Sequence, residues 1–174
     1  MPLVREIKFD GYVFRSKIEA QWYKLFQELG VECYYENETF SLAIGDKTVN
    51  YLPDFFLPEQ DCFVEIKLAQ KPLPVECCKC FALAQQTGRD VYLFYEVIGK
   101  KNTNGYLYKG GSGAFMPLQR LTQCPICKHV AFTRQGLVGS AHMQCGCHCK
   151  ELPNTEAVAI ARAVGAVRAE RFGA

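Results

Sequence analysis

The run YLPDFFLPEQDCFVEIK, Tyr51 to Lys67, constrains this chain more than any other stretch. Its apolar and aromatic content predicts strands, yet it carries Asp54, Glu65 and Lys67, and a hydrophobic sheet gains nothing from burying three charges. Side chains alternate along a strand, so Phe63, Glu65 and Lys67 share one face while Cys62, Val64 and Ile66 take the other. Asp54 follows Pro53 on the neighbouring strand, and a tight hairpin sets its carboxylate beside that of Glu65. Two carboxylates held that close repel, and a divalent cation with hard oxygen ligands is the usual reason to hold them there. Mg2+ fits that description. Taken alone, the pattern is short, and a cross-strand salt bridge on a solvated face is its plain alternative.

The flanking sequence supplies a frame. From Ser16 to Leu29 the apolar residues Ile18, Trp22, Leu25, Phe26 and Leu29 recur at the spacing of one buried helix face, and Gly30 follows as a stop. Ser16 and Glu19 have the spacing of a capping box, in which Glu19 reaches back to the Ser16 N–H. Arg15, just upstream, is placed to meet a phosphate. VECYYENETFSLAI and KTVNYLPDFFL read as strands joined by the turn IGDK, and DCFVEIK as a third strand, giving an antiparallel start. VECCKCFALAQQTG reads as a helix ended by Gly88, and RDVYLFYEV as a largely apolar, central strand. Lys100 to Gly113 reads as a mobile loop or exposed hairpin, with Lys100, Lys101, Lys109, Tyr106 and Tyr108 a basic-aromatic group. After Pro153 an alanine-rich amphipathic helix follows, capped by Asn154 or Thr155. The resulting order is α-β-β-β-α-β.

With these elements in place, FRSKIEAQWYKLFQELGVECYYENETF followed by YLPDFFLPEQDCFVEIK resembles the PD-(D/E)xK nuclease superfamily. Pro53-Asp54 and Glu65-Ile66-Lys67 form the signature, and Glu19 stands as the acidic residue of helix one. Within that superfamily the stretch from Phe14 to Lys67 is most similar to the phage endonuclease I family that resolves Holliday junctions, and the likeness runs through about Val97. The resemblance implies an α/β fold (an α+β mixed sheet flanked by helices) with a restriction-endonuclease-like core, and hydrolysis of DNA phosphodiesters with Mg2+ or Mn2+. It implies that Asp54, Glu65 and the Ile66 carbonyl hold the metal, that Lys67 serves the attacking water, and that Glu19 assists a metal or orients Lys67. The resolving family carries a further acidic residue where this chain has Tyr34, with Glu32 and Glu36 close by.

Ten cysteines are many for 174 residues, and Cys124, Cys127, Cys145, Cys147 and Cys149 crowd a short late segment. This asymmetry reads as a metal site and not a disulfide lattice. CPIC is a thiolate knuckle, and CGCHC begins a β-hairpin's length later, so the pair reads as a zinc ribbon. Cys145 with Cys147 is the first choice for the second knuckle, with His148 or Cys149 as replacements for Cys147. His129 and His142 read as surface residues. A catalytic zinc needs an open position and nearby acid or base groups, which the intervening residues do not offer, so Zn2+ is expected to be structural.

The expected organisation is a nuclease core over residues 1–120, a zinc ribbon over 121–152 and a terminal helix over 153–174. A net charge of +2 neither demands nor excludes an anionic partner, so any DNA-binding surface must arise from local clustering. No leader opens the chain and no apolar run reaches the roughly 18 residues of a membrane span, so a cytoplasmic protein of phage or bacterial host cytosol is expected, with no membrane partner. A junction cutter acts on two opposed strands, so a homodimer is expected under that reading. The competing reading is a non-catalytic module on the same fold that binds nucleic acid or protein.

Overall fold

The computed structural model describes residues 6–68, 73–95, 98, 105–124, 127–134 and 156–172. It is a mixed α+β structure in which three helices flank a mixed sheet. The strands are β1 (Ile7–Phe9), β2 (Tyr12–Phe14), β3 (Tyr34–Tyr35), β4 (Phe40–Ile44), β5 (Lys47–Tyr51), β6 (Phe55–Leu57), β7 (Cys62–Lys67), β8 (Asp90–Tyr95), β9 (Gly105–Tyr108), β10 (Phe115–Gln123) and β11 (Val130–Arg134). The helices are α1 (Lys17–Glu28), α2 (Pro74–Thr87) and α3 (Glu156–Ala169). The cap expected for α3 at Asn154 or Thr155 lies outside the described residues.

The main sheet runs β11-β10-β9-β8-β7-β6-β3. Only β7 and β8 are parallel, and α2 makes the crossover between them. Strand β8 is central and apolar, as its sequence predicts, and it feeds both faces. Tyr92 and Phe94 pack with α1 and α3, while Val91, Leu93 and Tyr95 pack with α2. Trp22 of α1 anchors the first layer, 1% exposed, its ring centroid 4.8 Å from that of Phe94 and 5.7 Å from that of Phe26.

Two expected strands are interrupted. VECYYENETFSLAI divides into β3 and β4, and KTVNYLPDFFL into β5 and β6. Only β3 and β6 join the main sheet; β4 and β5 form a separate two-stranded hairpin that packs on α2. The breaks have local causes. Pro53 has no N–H for a ladder, and Glu36 adopts a left-handed φ of 46° that turns the chain out of line. This divergence opens the space in which the charged residues lie. A further hairpin, β1–β2, precedes α1, its turn made by Asp10 and Gly11 at φ 49° and 81°, as a tight two-residue loop requires.

Of the two expectations for the glycine-rich segment, loop or exposed hairpin, its described part takes the hairpin: β9 pairs antiparallel with β10, although the hairpin is built into the sheet and is not wholly exposed. Tyr106 and Tyr108 belong to β9, Tyr108 is buried, and Lys109 pairs with Asp90 at 2.9 Å. Lys100 and Lys101 lie outside the described residues. The turn after β9 passes so near the end of α2 that a Cβ on Gly110 would collide with the Gly88 carbonyl. Backbone on both sides leaves no side chain to give way. Gly110→Ala is therefore expected to destabilise the fold by about 3 kcal/mol, the upper end of overpacking costs, read as a lower denaturation midpoint at unchanged slope.

Candidate active site

The break between β5 and β6 leaves Asp54 just ahead of β6, and the β6–β7 register sets it across from Glu65. Both carboxylates are buried, at 6% and 4% exposure. They are locked into the backbone as well: the Ile66 N–H donates to Asp54 Oδ2 at 2.7 Å, and the Asp54 N–H donates to Glu65 Oε2 at 3.3 Å. In an antiparallel ladder the N–H and C=O of one residue face the same neighbour, so the Ile66 carbonyl faces the side on which Asp54 lies. Lys67, one turn of the pleat beyond Glu65, forms an ion pair with Glu65 and approaches Asp54 Oδ2 to 3.8 Å.

The electrostatics follow from this crowding. Burial first, and the Glu65 charge second, push the Asp54 carboxyl well above the usual carboxylate range, against the opposing pull of Lys67. Burial works to lower Lys67, but the charges of Asp54 and Glu65 outweigh it and hold the ammonium protonated above its ordinary value. Tyr51 closes the floor beside Glu65, its hydroxyl kept protonated by burial and then by the neighbouring Cys80 and Glu65.

Glu19 is carried to the edge of this group by the first turn of α1. The capping box forms with a shift: Ser16 Oγ caps the Glu19 N–H at 3.3 Å, while Glu19 reaches the Arg15 N–H at 3.1 Å, one residue further back than the Ser16 N–H expected. Its oxygens also accept from Ser16 Oγ at 2.6 Å and from the Tyr35 hydroxyl at 2.6 Å. Glu19 adds to the negative field at Asp54, but Glu65, and not Glu19, holds Lys67.

Glu36 is the acidic residue that the site reading underweighted. Its N–H donates to the Asp54 carbonyl at 3.0 Å, and its carboxylate pairs with Arg15 Nε at 2.7 Å. Burial raises its carboxyl, Arg15 opposes, and the charges of Glu19 and Glu65 raise it further. The signal was the acidic residue next to the tyrosine pair of β3, but only the left-handed turn at Glu36 aims it inward. Asp54, Glu65 and Lys67 border a cleft of about 480 Å3 that is also lined by Arg15, by Tyr51 of β5 and by Val75, Glu76 and Lys79 of α2; Glu19 and Glu36 stand behind this lining.

The donor set suits a hard cation. All its side-chain ligands are oxygens, and a divalent ion would relieve the repulsion between Asp54 and Glu65 when both are ionised in this buried position. Among the described residues, no three histidine, cysteine or acidic side chains are grouped to hold a metal by themselves. Asp54 and Glu65 would hold it with the Ile66 carbonyl, water completing the shell.

The first cysteine knuckle lies at the other end of the sheet, in the turn from β10 to β11. Cys124 is buried and Cys127 exposed. The Lys128 N–H donates to the Cys124 carbonyl at 3.0 Å, the Cys124 N–H donates to the His129 carbonyl at 2.8 Å, and Lys128 takes a left-handed φ of 64° to close the turn. Gln123 ties the turn to α1 by donating to the Leu29 and Lys128 carbonyls at 3.0 and 3.1 Å. His129 faces Glu59 at 3.3 Å, on the turn that joins β6 to β7. Cys145, Cys147, His148, Cys149 and His142 lie outside the described residues. The chain matches no protein-family model and no curated protein. Among the described residues no helix is long and apolar enough to cross a membrane.

Proposed function

We propose that this chain is a metal-dependent endodeoxyribonuclease, a PD-(D/E)xK-type enzyme with a restriction-endonuclease-like core and an appended zinc ribbon. One observation carries the reading: Asp54 and Glu65 are buried face to face beside Lys67 at the floor of an open cleft. A salt bridge on a solvated face would leave these groups exposed, and a sheet stabilised by packing alone would not bury two like charges.

Phosphodiester hydrolysis asks for charge stabilisation at the phosphate and a positioned nucleophile. A bound Mg2+ or Mn2+ would supply the first and acidify a water. Asp54 and Glu65 would hold the cation through carboxylates already fixed by the backbone. The Lys67 ammonium, held between the two carboxylates, donates hydrogen bonds at the reacting centre: to the attacking water, orienting it, or to a phosphate oxygen, stabilising charge. Glu19 and Glu36 fix Arg15 and the start of α1 beside the cleft, where a guanidinium can meet the DNA backbone.

The test is cleavage of a labelled four-way junction, a plain duplex and a single strand by the purified chain, with Mg2+, Mn2+ or EDTA. Metal-dependent cutting supports the enzyme and ranks its substrates. Binding without cutting under every metal condition would favour the non-catalytic module instead. A junction preference would call for a homodimer, checked by sedimentation.

The ribbon has its own check. The backbone-bonded turn between β10 and β11 that carries Cys124 and Cys127 supports a structural Zn2+ site completed by Cys145 and by Cys147, His148 or Cys149. Metal analysis is expected to give one zinc per chain. Cys124→Ser is expected to lose it and to lower the melting temperature, without changing the cut strand or the cut position.

A further inference from the structure

Three cations line the cleft, and they are not equivalent. Arg15 is paired with Glu36, and Lys67 with Glu65 and Asp54. Lys79 of α2 has no ion pair among the described residues. The acidic residue one turn earlier, Glu76, is committed elsewhere, accepting the Leu73 N–H at 3.0 Å to cap the helix start. What positions Lys79 is an aromatic face: its Nζ stands 5.7 Å from the centroid of the Tyr51 ring. Tyr51 is itself buried at 5% exposure, so the platform beneath the ammonium is rigid. A cation held over a ring and left without a carboxylate, in the same cleft as Asp54, Glu65 and Lys67, is arranged for an anion that arrives from outside.

We propose that Lys79, seated on Tyr51, binds the phosphate next to the one being cut, and so sets the register of the DNA strand in the cleft. Thr39 and Asn50, which line the same cleft, offer neutral hydrogen-bonding groups to the same strand. The inference rests on the nuclease reading and assigns Lys79 as a positioning residue, not a catalytic one. The phosphate itself contributes no sequence information, so the contact fixes where along the strand the chain sits and not which base it prefers.

The experiment compares wild type, Lys79→Gln and Lys79→Arg on one cleavable DNA, with kcat, KM and the salt dependence of binding measured together. Losing one phosphate contact is expected to lower the slope of log K against log salt by about 0.9 on duplex DNA. KM is expected to rise about tenfold with kcat nearly unchanged, and Lys79→Arg is expected to restore both. A wild-type slope and KM in Lys79→Gln would overturn the proposal, as would a fall in kcat alone. If wild type binds DNA but cuts none, the nuclease reading fails while the slopes still decide whether Lys79 holds a phosphate. If it binds no DNA, both fail.

Discussion

Lys67→Ala is expected to reduce metal-dependent DNA cutting by about 100-fold to 10,000-fold, the range for a group that acts at the reacting atoms. Asp54→Asn is expected to abolish cutting as well, but the two variants should part in stability. Removing Lys67 leaves Asp54 and Glu65 buried without their cation, and the metal-free protein should melt at a lower temperature. Asp54→Asn keeps the oxygen that accepts the Ile66 N–H and removes the charge that faces Glu65. It should therefore raise the metal-free melting temperature by about 3 °C, on the order of 1 kcal/mol for a chain of this size. Loss of activity with a gain in stability marks a carboxylate kept for chemistry. A fall in melting temperature for Asp54→Asn would instead make Asp54 a structural residue and remove the main support for the site.

The same pair sets a pH signature. Asp54 and Glu36 both titrate above their unfolded values, so the folded state binds more protons than the unfolded state in that interval. Their contribution to stability is complete below the unfolded value of about 4 and is lost as pH rises through the raised folded values. Metal-free protein should therefore lose stability through this site on going from acid towards neutral pH. Mg2+ should restore much of it at neutral pH, and Asp54→Asn should flatten the profile. Melting curves across that range, with and without Mg2+, check all three.

Trp22→Ala is the second large effect. Trp22 lies on α1 with its ring against Phe94 of the central strand, and truncation opens a void between helix and sheet that neither aromatic neighbour can fill. The expected cost is about 4 kcal/mol, or roughly 10 °C in melting temperature. Trp22 is the chain's single tryptophan, so unfolding of the variant has to be followed by circular dichroism. Because α1 also carries Glu19, residual activity should fall in step with the folded fraction and not independently of it.

How much of this was written in the sequence depends on the range of the interaction that decides each element. The start of α1 was legible, since Ser16 and Glu19 are neighbours and their capping chemistry is local. So were α2, stopped by Gly88, and the alternation of β7, which separates Cys62, Val64 and Ile66 from Glu65 and Lys67. The membership of the sheet was not legible. Whether a residue in VECYYENETFSLAI continues a strand or leaves it rests on a left-handed turn at Glu36 whose only strong local sign is a polar residue after two tyrosines. Tyr35 illustrates the same limit in the site: by composition it is a strand aromatic, and only packing brings its hydroxyl to Glu19. The β1–β2 hairpin was missed for a different reason, because an Asp-Gly turn between very short strands offers little periodicity to read.

One helix joins the two candidate sites of this chain. The first turn of α1 places Glu19 beside the buried acids, and its last carbonyl region receives Gln123 from the cysteine turn. At about 1.5 Å of rise per residue the two ends stand roughly 15 Å apart. Under the proposed reading the helix is therefore a strut that keeps two metals from sharing ligands: the acids would take up or release a cation at one end without any contact with sulfur ligands held at the other.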